Sequence, residues 1–340
     1  MQLRLRETSL PLRHPFTIAL GTTTVQNTLL VELEEDGITG YGEAAPGLAY
    51  SEFTVESMMT ALESVRPLIE AATLTTPPEL WEKMRPMLGH NRFALCALDI
   101  AAHDLWGKRE GAPVWKLWGL DISRVPFSDY TIGIDPIDKM IAKMKEFDGW
   151  PIYKIKLGTE DDLAIVRALR QHTDAIFRID ANTAWTPEQT IAYAPELKDL
   201  GVEFIEQPLL RDNWEGMKLV REKCVLPVIA DESCLIEEDV EKCAGLFHGI
   251  NIKLPKTGGL TPARRMIDAA RRHGLQTMAG CMSESSVGIS AIAQLLPLLD
   301  YVDMDGAVLI AQDIATGVRL DKGRPIFPNE NGIGVRLLEP

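Results

Sequence analysis

From residue 125 onward the chain alternates short apolar runs with amphipathic stretches. The runs cover 130–134, 153–157, 177–180, 203–206, 228–231, 250–253, 276–279 and 301–305, each with the two-residue period of a buried strand. Between them, segments such as 163–170, 187–200 and 262–273 place apolar residues every three to four positions, as a helix does. Thr186-Pro187 and Thr261-Pro262 supply an N-cap and a first helical residue. Eight strands with a helix between each pair and short connections predict an α/β fold, a (β/α)8-type TIM barrel over residues 125–320.

The first 124 residues follow another pattern. Alternation over 3–10, 28–34 and 38–43 predicts a three-stranded meander, its last two strands joined at Glu35-Asp36-Gly37. Segments 51–71, 78–88 and 91–110 have helical periodicity, with Ala94, Leu98, Ala101 and Leu105 on one face and Gly111-Ala112-Pro113 ending the last. Residues 1–124 therefore form an α+β capping domain. Its loop from Pro15 to Thr24 reads as a plain connection or a flap over a pocket. Met58, Met59, Trp81, Trp106, Trp115 and Trp118 fill the core, and His90 and His103 are packing or surface residues. Residues 321–340, rich in Pro, Gly and Asn, are expected to return to the capping domain, with Gly334 to Leu338 pairing onto the meander.

The strand ends carry the chemistry. Lys154 and Lys156 lie two apart on one strand and face the same side. The next three strands end in Asp180, Glu206 and Asp231, and the one after in Lys253, at steps of 24, 26, 25 and 22 residues from Lys156. Charged residues closing five successive buried strands lie at the C-terminal rim, where barrel enzymes hold their catalytic groups. Three carboxylates converging there cannot all stay ionised without a cation, and an all-oxygen set points to Mg2+ over Zn2+. Asn182, two residues past Asp180, is expected to support that set from outside. Lys156 and Lys253 face each other across the mouth and offer a base on each face of one bound carbon. The implied chemistry is removal of a proton next to a carboxylate. Asp303 and Asp305 place two anions on one face of the eighth strand, opposite the metal, which suits an ammonium group. The alternative is that one of them caps the turn at Gly306.

Composition narrows the partners. With 340 residues, 46% apolar, the chain is long enough for one barrel and a smaller domain. A net charge of −14 without a basic patch argues against nucleic acid and anionic membrane, leaving a small-molecule substrate. Neither a signal-peptide core nor an apolar run of membrane-spanning length is present, so a cytoplasmic protein is expected. Five cysteines without a C-x-x-C pair suit a reducing compartment and argue against a zinc site.

As a set, Lys154-x-Lys156, the carboxylates Asp180, Glu206 and Asp231, and Lys253 resemble the enolase superfamily, specifically its muconate-lactonizing-enzyme subgroup. The likeness spans the chain and includes Gly40-Tyr41-Gly42-Glu43-Ala44-Ala45-Pro46, Asp180-Ala181-Asn182-x-x-Trp185, Glu206-Gln207-Pro208 and Gly332-Ile333-Gly334. It implies an enolase-like barrel with Mg2+ on the three carboxylates, Lys156 and Lys253 as acid/base catalysts, and Lys154 as an electrostatic aid at the substrate. Muconate cycloisomerases, o-succinylbenzoate synthases, N-acylamino acid racemases and dipeptide epimerases share this set. The Asp303-x-Asp305 pair resembles the dipeptide epimerases, in which it holds the α-ammonium of the N-terminal residue while the C-terminal residue is epimerised by two-base proton transfer through a metal-stabilised enediolate. On the same likeness the backbone at Cys281 and Ser283 is expected to hold the peptide unit, and Thr131 to contact the dipeptide.

One departure bears on the substrate. Members acting on Ala-Glu are expected to carry a basic residue in the cap loop, where this chain has Gly21 between Leu20 and Thr22. A neutral, apolar or small side chain at the epimerised position is therefore expected. The rival readings are an N-acylamino acid racemase or o-succinylbenzoate synthase, which need no Asp303/Asp305 pair, and a barrel kept for binding without turnover, against which the complete lysine and carboxylate set argues. The resemblance leaves room for a homo-oligomer.

Overall fold

The computed structural model describes residues 1–338, so the last two residues of the expected C-terminal segment lie outside the described residues. The chain opens with three antiparallel strands in the order β1 (Gln2–Ile18), β2 (Gly21–Glu35) and β3 (Ile38–Ala44). The first hairpin is longer than the alternation predicted. Phe16 pairs with Thr23, Thr17 with Thr22 and Ile18 with Gly21, and the register slips only between Pro11 and Phe16. Pro11 and Pro15 have no N–H to give the ladder, whereas β-branched Thr17, Ile18, Thr22 and Thr23 favour extended backbone and restore it. Gly21 closes the turn with φ of +146°, a conformation L side chains rarely adopt. Ile134 N–H donates to Thr17 O at 2.8 Å, so the hairpin tip lies on the barrel mouth.

Helices α1 (Val55–Glu70), α2 (Pro77–Leu88) and α3 (Arg92–Arg109) cover one face of this sheet. Contact between α3 and β3 is backbone to backbone. A Cβ on Gly42 would stand 2.0 Å from Ala97 O, and one on Gly40 2.3 Å from Ala101 O. The Gly-x-Gly of β3 is thus dictated by the close approach of a helix.

Eight parallel strands follow: β4 (Tyr130–Ile132), β5 (Ile152–Lys156), β6 (Ile176–Asp180), β7 (Val202–Glu206), β8 (Val228–Ala230), β9 (Gly249–Lys253), β10 (Gln276–Gly280) and β11 (Tyr301–Asp303). Each pairs with the next, and a parallel bridge from Ser128 to Val302 ties the last strand to the segment leading into the first. Register places Lys156 beside Asp180, Asp180 beside Glu206, and Gly280 between Lys253 and Asp303. Tyr153, Ile155, Phe177 and Ile179 join the apolar layer shared with the helices, and their alternate neighbours point into the barrel. Its lower interior is filled by Phe204, Ile229 and Met278, with the Arg178 guanidinium stacked 5.3 Å from the Phe204 ring and 5.2 Å from that of Tyr301. Charged side chains are thereby raised toward the C-terminal rim.

The C-terminal segment differs from expectation in its partner. Arg336–Leu337 pairs antiparallel with Ala315–Thr316, not with the meander. Beside β3 lies instead the helix Ser286–Ala293, from whose first turn Ser285 and Gly288 N–H donate to the Glu43 carboxylate. Contact with the cap is made earlier: Ile333 N–H donates to Asp104 of α3, and Val114 N–H to Gly332 O, both at 2.9 Å. Among the described residues no helix is long and apolar enough to cross a membrane.

Candidate active site

Alternation along β5 to β9 lifts five charged side chains onto one plane at the rim. Asp180, Glu206 and Asp231 each offer a carboxylate oxygen, and these oxygens lie within 4.8 Å of one another. All three residues are essentially unexposed. Lys156 Nζ stands 2.6 Å from Asp180 Oδ2 on one flank, and Lys253 Nζ 2.9 Å from Asp231 Oδ2 on the other. The two amines thus bracket the acidic trio, and both line the cleft above it.

Lys154 sits two residues deeper on β5, fully buried beneath the cleft. Its Nζ lies 2.8 Å from Glu206 Oε2, 2.8 Å from Asp303 Oδ2 and 3.3 Å from Asp180 Oδ2. Lys154, expected as an electrostatic aid at the substrate, thus joins the trio to the eighth strand from beneath. Its depth follows from strand geometry, since a step of two residues is nearly 7 Å along the strand.

Electrostatics divides the carboxylates. Burial works to raise Asp231, but the ammonium groups of Lys253 and Lys256 overcome it and hold the group below its ordinary range. Burial likewise opposes ionisation of Asp180, and Lys156 and Lys154 pull it down. Glu206 remains raised, by burial and then by Asp180. Lys253 ends above its usual value because Asp231 outweighs the burial penalty, so its resting state is the cation. Glu206 Oε2 is buried with the Lys154 ammonium, 2.8 Å away, beside it. Three buried carboxylates whose oxygens converge within 4.8 Å are the donor set that a hard divalent cation such as Mg2+ takes.

On the eighth strand Asp303 Oδ2 is committed to Lys154, while Asp303 Oδ1 is buried and partnerless. Burial would raise Asp303, but Lys154 holds it down at about 2. Asp305 is pushed up to about 7 by burial and by the Asp303 charge. Asp305 stands at the N-cap of the short helix Gly306–Leu309, yet its side chain makes no capping bond. Its Oδ2 accepts instead from Thr131 N–H at 2.6 Å, across the closure of the barrel. Turn capping therefore does not account for the pair.

Thr131, Asn182, Cys281, Ser283, Asp303 and Asp305 all line the cleft that holds Lys156 and Lys253, which encloses about 760 Å³ including its open mouth. Asn182, with φ of +43°, donates its N–H to Asp180 Oδ1 at 3.0 Å and leaves its own Oδ1 buried without a partner.

Several residues at the site escaped the sequence reading. Lys256 Nζ, fully buried, donates to Asp231 O at 2.8 Å, Asn251 O at 3.0 Å and Cys234 O at 3.2 Å, and pairs with the Asp231 carboxylate. It lies on a one-turn helix, Leu254–Thr257, too short to have a period. Asn251 Nδ2 donates to Glu206 Oε1 at 2.8 Å, and its position on β9 two residues before Lys253 was the available signal. Glu232 lines the cleft with its Oε2 buried and unpartnered, pushed up to about 8 by burial and the adjacent Asp231. Strict alternation would turn Glu232 outward, but β8 ends at Ala230 and the pattern lapses there. Tyr50 reaches the same cleft from the cap with its hydroxyl buried and unpartnered.

Comparison with known proteins agrees along the whole chain. A family model described as mandelate racemase / muconate lactonizing enzyme, N-terminal domain, matches residues 1–119, and one described as enolase C-terminal domain-like matches residues 138–340. The L-Ala-D/L-amino acid epimerase of Flavobacterium johnsoniae is 56% identical over 338 residues, covering 99% of this chain and 100% of that protein. The L-Ala-D/L-Glu epimerase of Bacteroides thetaiotaomicron is 39% identical, covering 96% of this chain and 85% of that protein. Among solved structures, a dipeptide epimerase from Enterococcus faecalis complexed with Mg and the dipeptide L-Leu-L-Tyr superposes with a TM-score of 0.90 at 32% identity, over 98% of each chain.

Proposed function

This chain belongs to the mandelate racemase and muconate lactonizing enzyme family of the enolase superfamily, and on that premise we propose that it is a Mg2+-dependent dipeptide epimerase acting on the C-terminal residue. The observation that carries the reading is the bracketing of one acidic trio by two amines, with an unpartnered Asp303 oxygen in the same cleft.

Asp180, Glu206 and Asp231 would hold the metal, with Lys256 fixing Asp231, Asn251 fixing Glu206 and Asn182 bracing Asp180. When bound, Mg2+ stabilises the negative charge that develops on the substrate carboxylate as the α-proton leaves. Lys156 and Lys253 stand on opposite sides of the position that α-carbon takes. One removes its proton while the other, held as the cation, delivers a proton to the opposite face. Configuration inverts because the proton returns from the side it did not leave. Lys154 neutralises part of the floor charge, and Asp303 and Asp305 meet the α-ammonium of the N-terminal residue, so that a free amino terminus is preferred to an acylated one.

The side chain at the epimerised residue is neutral or apolar in this reading. Cap residues facing the cleft include Phe16, Ile18 and Leu48, and among the described residues none of the cap residues lining it is basic. The 56% identical relative carries the broader name, L-Ala-D/L-amino acid epimerase, and the L-Ala-D/L-Glu epimerase stands further off. A cytoplasmic location fits five cysteines that are all free.

The test is a dipeptide library incubated with the enzyme and Mg2+ in D2O, scored by mass gain and then by stereochemistry. Exchange at the C-terminal residue of neutral dipeptides is expected. Ala-Glu as clearly the best substrate would reject the side-chain assignment, and exchange on none would reject the function.

A further inference from the structure

The cleft carries a second cluster of ligand atoms besides the acidic trio. Cys281, Asp303 and Asp305 each offer one atom, all within 4.8 Å of one another, and Cys281 Sγ lies 3.9 Å from Asp305 Oδ1. The other oxygens are in use, Asp303 Oδ2 by Lys154 and Asp305 Oδ2 by Thr131 N–H. What remains is the Cys281 thiol, Asp303 Oδ1 and Asp305 Oδ1, on three residues that line the cleft. One of these, Asp303 Oδ1, is buried and bonded to nothing on a residue 5% exposed.

We propose that Cys281, Asp303 and Asp305 form a binding site for a thiophilic divalent ion of the zinc type, distinct from the Mg2+ site and occluding the dipeptide's ammonium position.

Geometry supports the assignment. Tetrahedral zinc with sulfur at about 2.3 Å and oxygen at about 2.1 Å needs sulfur and oxygen about 3.6 Å apart, close to the separation present. Three protein ligands leave the fourth position open to water from the cleft. Charge is matched as well. On binding, the S–H bond breaks, a sulfur–metal bond forms and the proton leaves to solvent. With Asp305 ionised, the bound unit then adds one net positive charge, as an ammonium group does; where Asp305 holds a proton, that proton also leaves to solvent. The two metal sites are told apart by softness, since thiolate selects zinc and cadmium while the all-oxygen trio suits magnesium. The ligands come from two strands 22 residues apart, so no local cysteine spacing announces them.

Metal binding here stands on the cluster alone, and only its competition with substrate rests on the ammonium reading above. Mg2+-saturated enzyme without dipeptide is titrated with Cd2+, following the ultraviolet absorption of a cadmium–thiolate bond, in wild type and Cys281→Ser. One Cd2+ per chain with that absorption is expected. Loss of the bond in Cys281→Ser is also expected, with affinity down by at least the roughly 10–100-fold that removing a mere supporting partner of a metal ligand costs. Zn2+ is then assayed as an inhibitor at saturating Mg2+, where inhibition that dipeptide relieves and further Mg2+ does not is the expected pattern. No thiolate absorption in wild type, absorption kept in Cys281→Ser, or inhibition reversed by Mg2+ would each overturn the site. The wild-type titration does not depend on how the variant folds. Cadmium bound through Cys281 without competition from the dipeptide would uphold the metal site while refuting the ammonium assignment.

Discussion

Asp303→Asn removes one charge from the cleft and almost no volume. Lys154 keeps Glu206 at 2.8 Å and Asp180 at 3.3 Å, so its ammonium is not left unpaired in the interior and the barrel should fold. What is lost is the anion facing the ammonium position. Asp303, held at about 2, is ionised at neutral pH, whereas Asp305, at about 7, is only partly so. Asp303 therefore carries most of the negative charge there. Removing one partner of a buried charge pair costs about 2–5 kcal/mol, which corresponds to a fall in kcat/KM from roughly 30-fold to several thousand-fold. The assay is epimerisation of a neutral dipeptide and of its N-acetyl derivative under saturating Mg2+. Only the free dipeptide should suffer, and the ratio between the two substrates should collapse by the same factor. Equal losses on both would refute the assignment, because a residue that merely braces Lys154 has no reason to sense the substrate's amino group.

Lys253→Ala should abolish epimerisation, a loss of about 10²–10⁴-fold or more in rate, while exchange into D2O persists for the one stereoisomer whose proton faces Lys156; unchanged epimerisation would end the two-base scheme. Chelation of the metal should remove activity, and restoring Mg2+ to about a hundred times its Kd should raise unfolding stability by about 2.7 kcal/mol, read as an upward shift in Tm; identical melting curves with and without Mg2+ would count against the trio. Glu284 accepts from Met282 N–H at 2.8 Å beneath the cleft wall and is pushed up to about 8, from an ordinary 4.5, by burial and then by Glu43. The folded state therefore holds a proton that the unfolded chain releases between those values, so stability should fall as pH rises through that window. Glu284→Gln should flatten the dependence by a few kcal/mol, and an unchanged slope in urea unfolding would show that another group sets it.

Much of the molecule is legible in one dimension. Strand period, helix period and the 22- to 26-residue spacing of charged ends specify a barrel with a cap, because alternation in a buried strand leaves each side chain only two directions. The rim set was readable for the same reason: Asp180, Glu206, Lys156 and Lys253 occupy the same inward phase of neighbouring strands, and the structure brings them around one cleft with Asp231. Where regular backbone stops, legibility stops with it. Glu232 turns inward because β8 ends at Ala230, and Lys256 reaches Asp231 from a single helical turn. The hairpin at residues 15–24 pairs beyond its two prolines, and the C-terminal strand finds residues 315–316 instead of the meander.

Sequence alone thus determined which residues share a face, since that depends on local geometry repeated along the chain. Tertiary structure decided depth and charge state. Lys154 and Lys156 are indistinguishable by pattern, yet one lies sealed under the floor against three carboxylates and the other opens onto the cleft. Asp303 and Asp305 are likewise a pair in sequence, and the lysine behind the first, with burial and the Asp303 charge acting on the second, separates a firmly ionised acid from one that titrates near neutrality. Burial and the company of other charges depend on strands distant in the chain, and no local pattern encodes them.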